Sequence, residues 1–212
     1  MFKYINVDKL LIEYPNLIIE ESGRNHIPRC LQGTFVMNVS HNNIRFIKTY
    51  AVKIVLHEDK IPSVKDIGHH IDVNYPHKYK NRELCLGTDT EIILTCTSNE
   101  NFDLYLWFNK FVISYFYSYE YYNRMGEYPF GERSHGSNGI LEFYMDIFNI
   151  KNHNQAYEFL KFINKQQIYR GHLLCPCGSG KRIRNCHKEG FKMSSIPKIK
   201  ERINEDLKMM KG

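Results

Sequence analysis

Two stretches of the chain hold residue types able to do chemistry. In the first, Tyr75 to Gly87 (Y-P-H-K-Y-K-N-R-E-L-C-L-G), Cys85 stands between Leu84 and Leu86 with His77 eight positions upstream. Pro76 fixes φ and marks a turn just before that histidine. A thiol in such a setting has two fates. It is a small buried hydrophobe, or it is a thiolate nucleophile that accepts and passes on an acyl group. The second stretch, Leu174 to His187 (L-C-P-C-G-S-G-K-R-I-R-N-C-H), sets Cys175 and Cys177 one residue apart. After eight intervening residues come the adjacent Cys186 and His187. Three thiolates and one imidazole make a closed tetrahedral set suited to structural Zn2+, with no position left open for catalysis. Gly178, Ser179 and Gly180 allow a tight turn that aims backbone N–H groups at the sulfurs. So short a piece cannot fold on an apolar core, and metal binding would supply its folding free energy.

Asn6 or Asp8 can cap a short helix with Val7, Leu10, Leu11 and Tyr14 on one face, limited by Pro15. Leu31 to Val39 reads as a strand, His41-Asn42-Asn43 as a turn, and Ile44 to Leu56 as a longer strand. On that longer strand Phe46, Lys48, Tyr50, Val52, Ile54 and Leu56 alternate onto one face. His69 to Tyr75 is expected to form a third strand leading into the cysteine loop, and Glu91 to Thr97 another short one. Ser98, Asn99 and Asn101 offer caps for a strong helix with Leu104, Phe108, Phe111, Tyr115, Tyr119 and Tyr122 at steps of three or four. Such a wide aromatic stripe fits a helix laid across a sheet. Gly126 and Pro129 end it, and Gly131, Gly136 and Gly139 predict a loop. Asn152 or Asn154 caps a further helix reaching about Arg170, with Ala156, Phe159, Leu160 and Ile163 inside and Gly171 as its stop. A last short helix is expected over Lys198 to Met209, after Pro197. The order of elements predicts an α+β fold: an antiparallel meander sheet with helices packed on one face.

At 212 residues, 42% hydrophobic and 14% aromatic, the chain suits one moderate domain with an appendage. No apolar run is long enough to span a membrane, and no basic-then-apolar leader opens the sequence, so a cytoplasmic protein is expected. The net charge of +6 lies entirely in the last 32 residues. From Lys181 to Gly212 ten basic residues face four acidic ones, while the preceding 180 residues balance at 19 of each. A basic tail fits either a contact with an acidic protein or nucleic acid, or a solvated segment without a fixed partner.

The first stretch resembles the active-site segment of ubiquitin-conjugating enzymes, with Tyr75, Pro76 and His77 at their His-Pro-Asn tripeptide and Leu84, Cys85 and Leu86 at their apolar–Cys–Leu triplet. Tyr75 replaces the histidine and His77 the asparagine. Together with Gly126 to Tyr144 (G-E-Y-P-F-G-E-R-S-H-G-S-N-G-I-L-E-F-Y), it looks like the conjugating-enzyme-like proteins of bacterial CBASS-type antiphage systems. That resemblance implies a ubiquitin-conjugating-like fold and a Cys85 thioester with the C-terminus of a partner protein, a cGAS-like nucleotidyltransferase. The acyl group would then pass to an acceptor lysine on a further protein. His77 would donate a hydrogen bond to the carbonyl oxygen or act as a base, and Tyr75 would be structural or place a hydroxyl near the loop. Glu132 and His135 are further groups that could reach the thiol. The second stretch matches the SEC-C motif, a zinc knuckle otherwise found as an interaction module. The implied organisation is a catalytic domain over 1–170, a zinc knuckle over 171–190 and a basic helical tail over 191–212. Alternatives at this stage are an inactive conjugating-like adaptor, a cysteine hydrolase that removes such modifications, and a nucleic-acid adaptor working through the basic tail.

Overall fold

The computed structural model describes residues 3–22, 28–98, 101–134, 136–166, 168–194 and 196–210. The chain divides into two compact units, Met1–Gly131 and Glu132–Gly212. In the second unit α-helices from residues 136–165 pack with the C-terminal helices.

The first unit opens with β1 (Lys3–Ile5), α1 (Val7–Glu13) and β2 (Leu17–Ser22), followed by β3 (Pro28–His41), β4 (Ile44–Val55) and β5 (Ser63–Asp66). Strands β2, β3, β4 and β5 are neighbours in that order, and every pair is antiparallel. The meander follows from local chemistry. Asn42 and Asn43 both adopt positive φ between β3 and β4, a conformation asparagine tolerates. The register pairs Phe35 with Tyr50 and Leu31 with Ile54, so the expected alternation buries Tyr50, Val52, Ile54 and Leu56 on one face. At Gly33 the turn before β2 crosses so closely that a Cβ would stand 1.9 Å from the Asn16 carbonyl oxygen.

Residues 67–78 do not form the expected strand. Asp66 is buried, and its carboxylate accepts the Ile71 backbone N–H at 2.8 Å and lies 3.2 Å from His70 Nδ1. Lys78 Nζ donates to the Ile71 carbonyl at 2.7 Å, and Asn74 N–H donates to the Asp72 carboxylate. Side chains thus take the backbone groups that a ladder would need. The apolar run after Cys85 is a helix rather than a strand, α2 (Asp89–Cys96), because Thr88 caps it by accepting the Glu91 N–H at 3.2 Å. Its buried Ile92 and Cys96 are four apart, a spacing that a short run shares with a strand pattern.

β6 (Thr97–Ser98) and β7 (Asn101–Asp103) follow, and β1 joins β7 in parallel to make a small three-stranded sheet. Asp103, rather than Ser98 or Asn101, caps the next helix by accepting the Leu106 N–H at 2.9 Å; Asn99 lies outside the described residues. α3 (Leu104–Trp107), a π-helical turn (Phe108–Val112) and α4 (Ile113–Met125) run on as one rod, stopped by Gly126 at φ 77°. The rod carries the expected aromatic stripe onto the sheet. Phe116 lies 4.1 Å from Tyr50 and 5.3 Å from Phe35, ring centre to ring centre, and Phe108 lies 5.1 Å from Phe35. Glu120, also buried, accepts the Tyr50 hydroxyl at 2.6 Å and the Lys48 ammonium at 2.6 Å. This pairing accounts for the one lysine in the apolar series of β4.

In the second unit Gly136 does not extend a loop but begins α5 (Gly136–Phe148). α6 (His153–Lys165) is capped by Asn152, which accepts the Gln155 N–H, and ends at Lys165 rather than near Arg170. A 3-10 turn (Ile183–Asn185), α7 (Lys188–Ser194) and α8 (Pro197–Met209) complete the chain. The basic tail is not merely solvated. α8 buries Ile199, Ile203 and Leu207, and its buried Asp206 receives the Tyr144 hydroxyl at 2.8 Å and Arg202 Nη2 at 2.6 Å. Among the described residues, no helix is long and apolar enough to cross a membrane.

Candidate functional site

Cys85 sits where the loop from the sheet returns upon itself. Lys78 and Leu84 form an antiparallel bridge. Across it the Cys85 N–H donates to the His77 carbonyl at 2.8 Å. Leu84 N–H reaches back to the Val64 carbonyl on β5 at 2.9 Å, which ties the hairpin to the sheet. The turn of the hairpin is closed by Arg82 N–H on the Tyr79 carbonyl and Tyr79 N–H on the Glu83 carbonyl, both at 2.8 Å. Arg82 takes a positive φ of 68° there. The eight-position interval between His77 and Cys85 is therefore a backbone pairing, and it leaves the thiol half-buried.

Tyr75 is only 5% exposed. Its ring packs edge-on to Tyr119 at 5.0 Å and Tyr115 at 5.9 Å, both on α4, and lies 5.6 Å from the His77 ring. His77 meets the cysteine through its backbone carbonyl, which also accepts the Tyr115 hydroxyl at 3.1 Å, while its ring lies edge-on to Tyr128 at 5.3 Å. Glu132 belongs to the second compact unit, and His135 lies outside the described residues.

The side chain that reaches the sulfur is one the sequence reading did not single out. Tyr79 Oη donates to Cys85 Sγ at 3.3 Å. Burial, then the hydrogen bond to the sulfur, push the Tyr79 hydroxyl above its ordinary range, so it keeps its proton beside the thiol. The polar Lys80-Asn81-Arg82 turn was the signal available for it, since a tight turn there folds position 79 back toward 83–85. Of the other thiols in this unit, Cys96 is pushed up to about 12 by burial, and buried Cys30 donates to Glu20.

The second site is the cluster Cys175, Cys177, Cys186 and His187, whose ligand atoms all lie within 4.8 Å of one another. Cys175 N–H donates to the Lys181 carbonyl at 2.8 Å, and Ile183 N–H to the Leu173 carbonyl at 2.9 Å. This miniature hairpin turns through Gly178 and Gly180, at φ 80° and 71°. The 3-10 turn then brings Cys186 and His187 back to the first two cysteines. Buried Ile183 anchors the turn from below, and the His187 ring packs against Phe159 of α6 at 5.2 Å.

Cys177 Sγ and Cys186 Sγ are 3.6 Å apart, and His187 Nδ1 lies 3.1 Å from Cys175 Sγ and 3.2 Å from Cys186 Sγ. Metal–sulfur bonds of about 2.3 Å place tetrahedral ligands roughly 3.8 Å apart. The four ligand atoms therefore need only small adjustments to hold a metal ion, and the donor set is the one zinc favours. Without metal, burial pushes the Cys175 thiol up to about 12. At Cys177 burial also acts upward, but hydrogen bonds from the Ser179 hydroxyl and N–H outweigh it and hold that thiol below its ordinary range.

Comparison with known proteins finds no matching family, no matching curated protein and no matching solved structure.

Proposed function

We propose that the first unit is a ubiquitin-conjugating-like acyl transferase of bacterial antiphage defence. In this reading Cys85 attacks the C-terminal acyl group of a partner protein, a cGAS-like nucleotidyltransferase, after another protein has activated it as a thioester or acyl phosphate ester; the activating group leaves, and the resulting Cys85 thioester passes the acyl group to a lysine amine. The observation that carries this reading is the pairing of Cys85 N–H with the His77 carbonyl, which sets a half-exposed thiol beside the Tyr75-Pro76-His77 turn at the interval that the resemblance requires. The antiparallel meander and the long helix laid across it support the same reading, since a ubiquitin-conjugating-like fold needs both. A thiolate suits the chemistry because it attacks carbonyl carbon well and leaves well from a thioester. Donors near the sulfur then lower the barrier by meeting negative charge as it develops. Tyr75 serves as the packed anchor of the turn, and His77 orients the cysteine through its backbone.

The cluster in the second unit is, in this reading, a structural zinc knuckle of the SEC-C type. Cys175, Cys177, Cys186 and His187 would hold the ion, which would lock the hairpin and leave no open position for catalysis. The exposed Lys181, Arg182, Arg184 and Lys188 around it suit docking to an acidic protein surface. The function is tested by phage challenge of cells carrying the complete system with wild-type protein or Cys85→Ala. Loss of protection together with loss of the partner conjugate is expected. Full protection by Cys85→Ala would instead favour an adaptor that only recruits its partner.

A further inference from the structure

We propose that Tyr79 is a catalytic residue of this site, a hydrogen-bond donor that stabilises the Cys85 thiolate and meets the sulfur again as it leaves the thioester. The proposal rests on the acyl-transfer reading for its second half. Its first half, stabilisation of the thiolate, stands on geometry alone.

Tyr79 Oη lies 3.3 Å from Cys85 Sγ with the hydroxyl as donor. The position of that hydroxyl is fixed by backbone rather than by chance. Tyr79 N–H on the Glu83 carbonyl and the Lys78–Leu84 bridge make Tyr79 part of the hairpin that carries Cys85. The ring is 55% exposed, more than a side chain placed only for packing needs, and its polar end points at the sulfur. Cys85, Asp89 and Glu83 are the charged or titratable groups that act on the Tyr79 hydroxyl, Cys85 also acts on buried Tyr115, and the His77 carbonyl pairs with the Cys85 N–H. The Tyr115 hydroxyl is committed to the His77 carbonyl, whereas the Tyr79 hydroxyl donates to the sulfur. Burial, then the hydrogen bond to sulfur, hold the Tyr79 proton in place, which suits a donor and rules against a base.

The chemistry balances without a further reagent. In the transfer step the acceptor amine attacks the thioester carbonyl, the new C–N bond forms and the C–S bond breaks. The electron pair of that bond returns to Cys85 as thiolate, and the amine's proton goes to water. Tyr79 keeps its own proton throughout, and its O–H···S bond shortens as charge builds on the leaving sulfur.

The test compares wild type with Tyr79→Phe, which removes one oxygen from a half-exposed ring. The pH dependence of Cys85 alkylation by iodoacetamide is followed by mass spectrometry of the Cys85 peptide, which separates it from the five other cysteines. Tyr105→Phe, whose hydroxyl bonds Glu13, serves as the control for loss of a tyrosine oxygen elsewhere. Circular dichroism checks that each variant is folded. The midpoint of alkylation is expected to rise by about one pH unit in Tyr79→Phe and to stay put in Tyr105→Phe, with transfer to amine slowed about tenfold. An unchanged midpoint in folded Tyr79→Phe would overturn the role of Tyr79. Alkylation needs no acyl donor, so a raised midpoint in a protein that never forms a partner adduct would sink the acyl-transfer reading and leave the thiolate donor standing.

Discussion

At the scale of single residues, the two sites were legible in the sequence to different degrees. The ligand set was legible because Cys175, Cys177, Cys186 and His187 carry donor types with few other uses in so short a span, and all four converge within 4.8 Å. The interval between His77 and Cys85 corresponds to a backbone hydrogen bond at 2.8 Å, and the chemical role of Cys85 belongs to the proposal. Tyr79 was missed because nothing in composition or periodicity distinguishes one tyrosine of fifteen. Its relevance comes from the fold of an irregular turn. A prediction belongs at this scale. On the proposal that the cluster holds a structural zinc ion, Cys186→Ser should reduce bound zinc, measured by elemental analysis of purified protein, from near one ion per chain to a small fraction, since three ligands hold a structural ion far less well than four. Full zinc occupancy in that variant would exclude Cys186 from the coordination sphere.

At the scale of elements, strands and helices with strong periodicity could be read from sequence, while segments governed by side-chain hydrogen bonds could not. β4 and the long rod were legible because their apolar positions repeat at two and at three-to-four residues. Residues 69–75 read as strand but fold as turns because the Asp66 carboxylate and the Lys78 ammonium take the backbone groups of Ile71. α2 was missed because its cap, Thr88, precedes a run too short to show its period. α5 was missed because glycines normally mark loops. Here Gly136 opens the helix at φ 64°, and Gly139 sits where a Cβ would stand 1.9 Å from the Ser134 carbonyl. The packing of the rod on the sheet is open to test. Phe116→Ala removes the ring wedged between Tyr50 and Phe35 and should cost about 3–5 kcal/mol in urea denaturation. A loss below ~1 kcal/mol would mean that the rod does not rest on the sheet as described.

At the scale of the whole molecule, the α+β plan and a metal-ligand cluster near the C-terminus could be read from sequence, but the grouping into compact units could not. The boundary depends on what α5, α6 and α8 pack against, and their inner faces alone do not name a partner. Within the first unit the buried hydroxyls make stability depend on pH. Tyr4, Tyr50 and Tyr115 are all held well above the ordinary tyrosine range, chiefly by burial. A raised folded-state value means that the neutral form is favoured by folding. The stabilisation is therefore intact below the unfolded tyrosine value of about 10 and is lost as pH rises past it. The melting temperature should fall clearly between about pH 8 and about pH 11, and a flat profile across that range would contradict these hydroxyls being buried and neutral. The central claim is that Cys85 carries an acyl group, and intact-mass analysis under non-reducing conditions tests it most directly. The protein is co-expressed with the products of its neighbouring genes as wild type, Cys85→Ser and Cys85→Ala. The account predicts a partner-sized adduct that thiol releases from the wild type, a more stable ester on Cys85→Ser and no adduct on Cys85→Ala. The absence of any partner-sized adduct from all three folded proteins would contradict it.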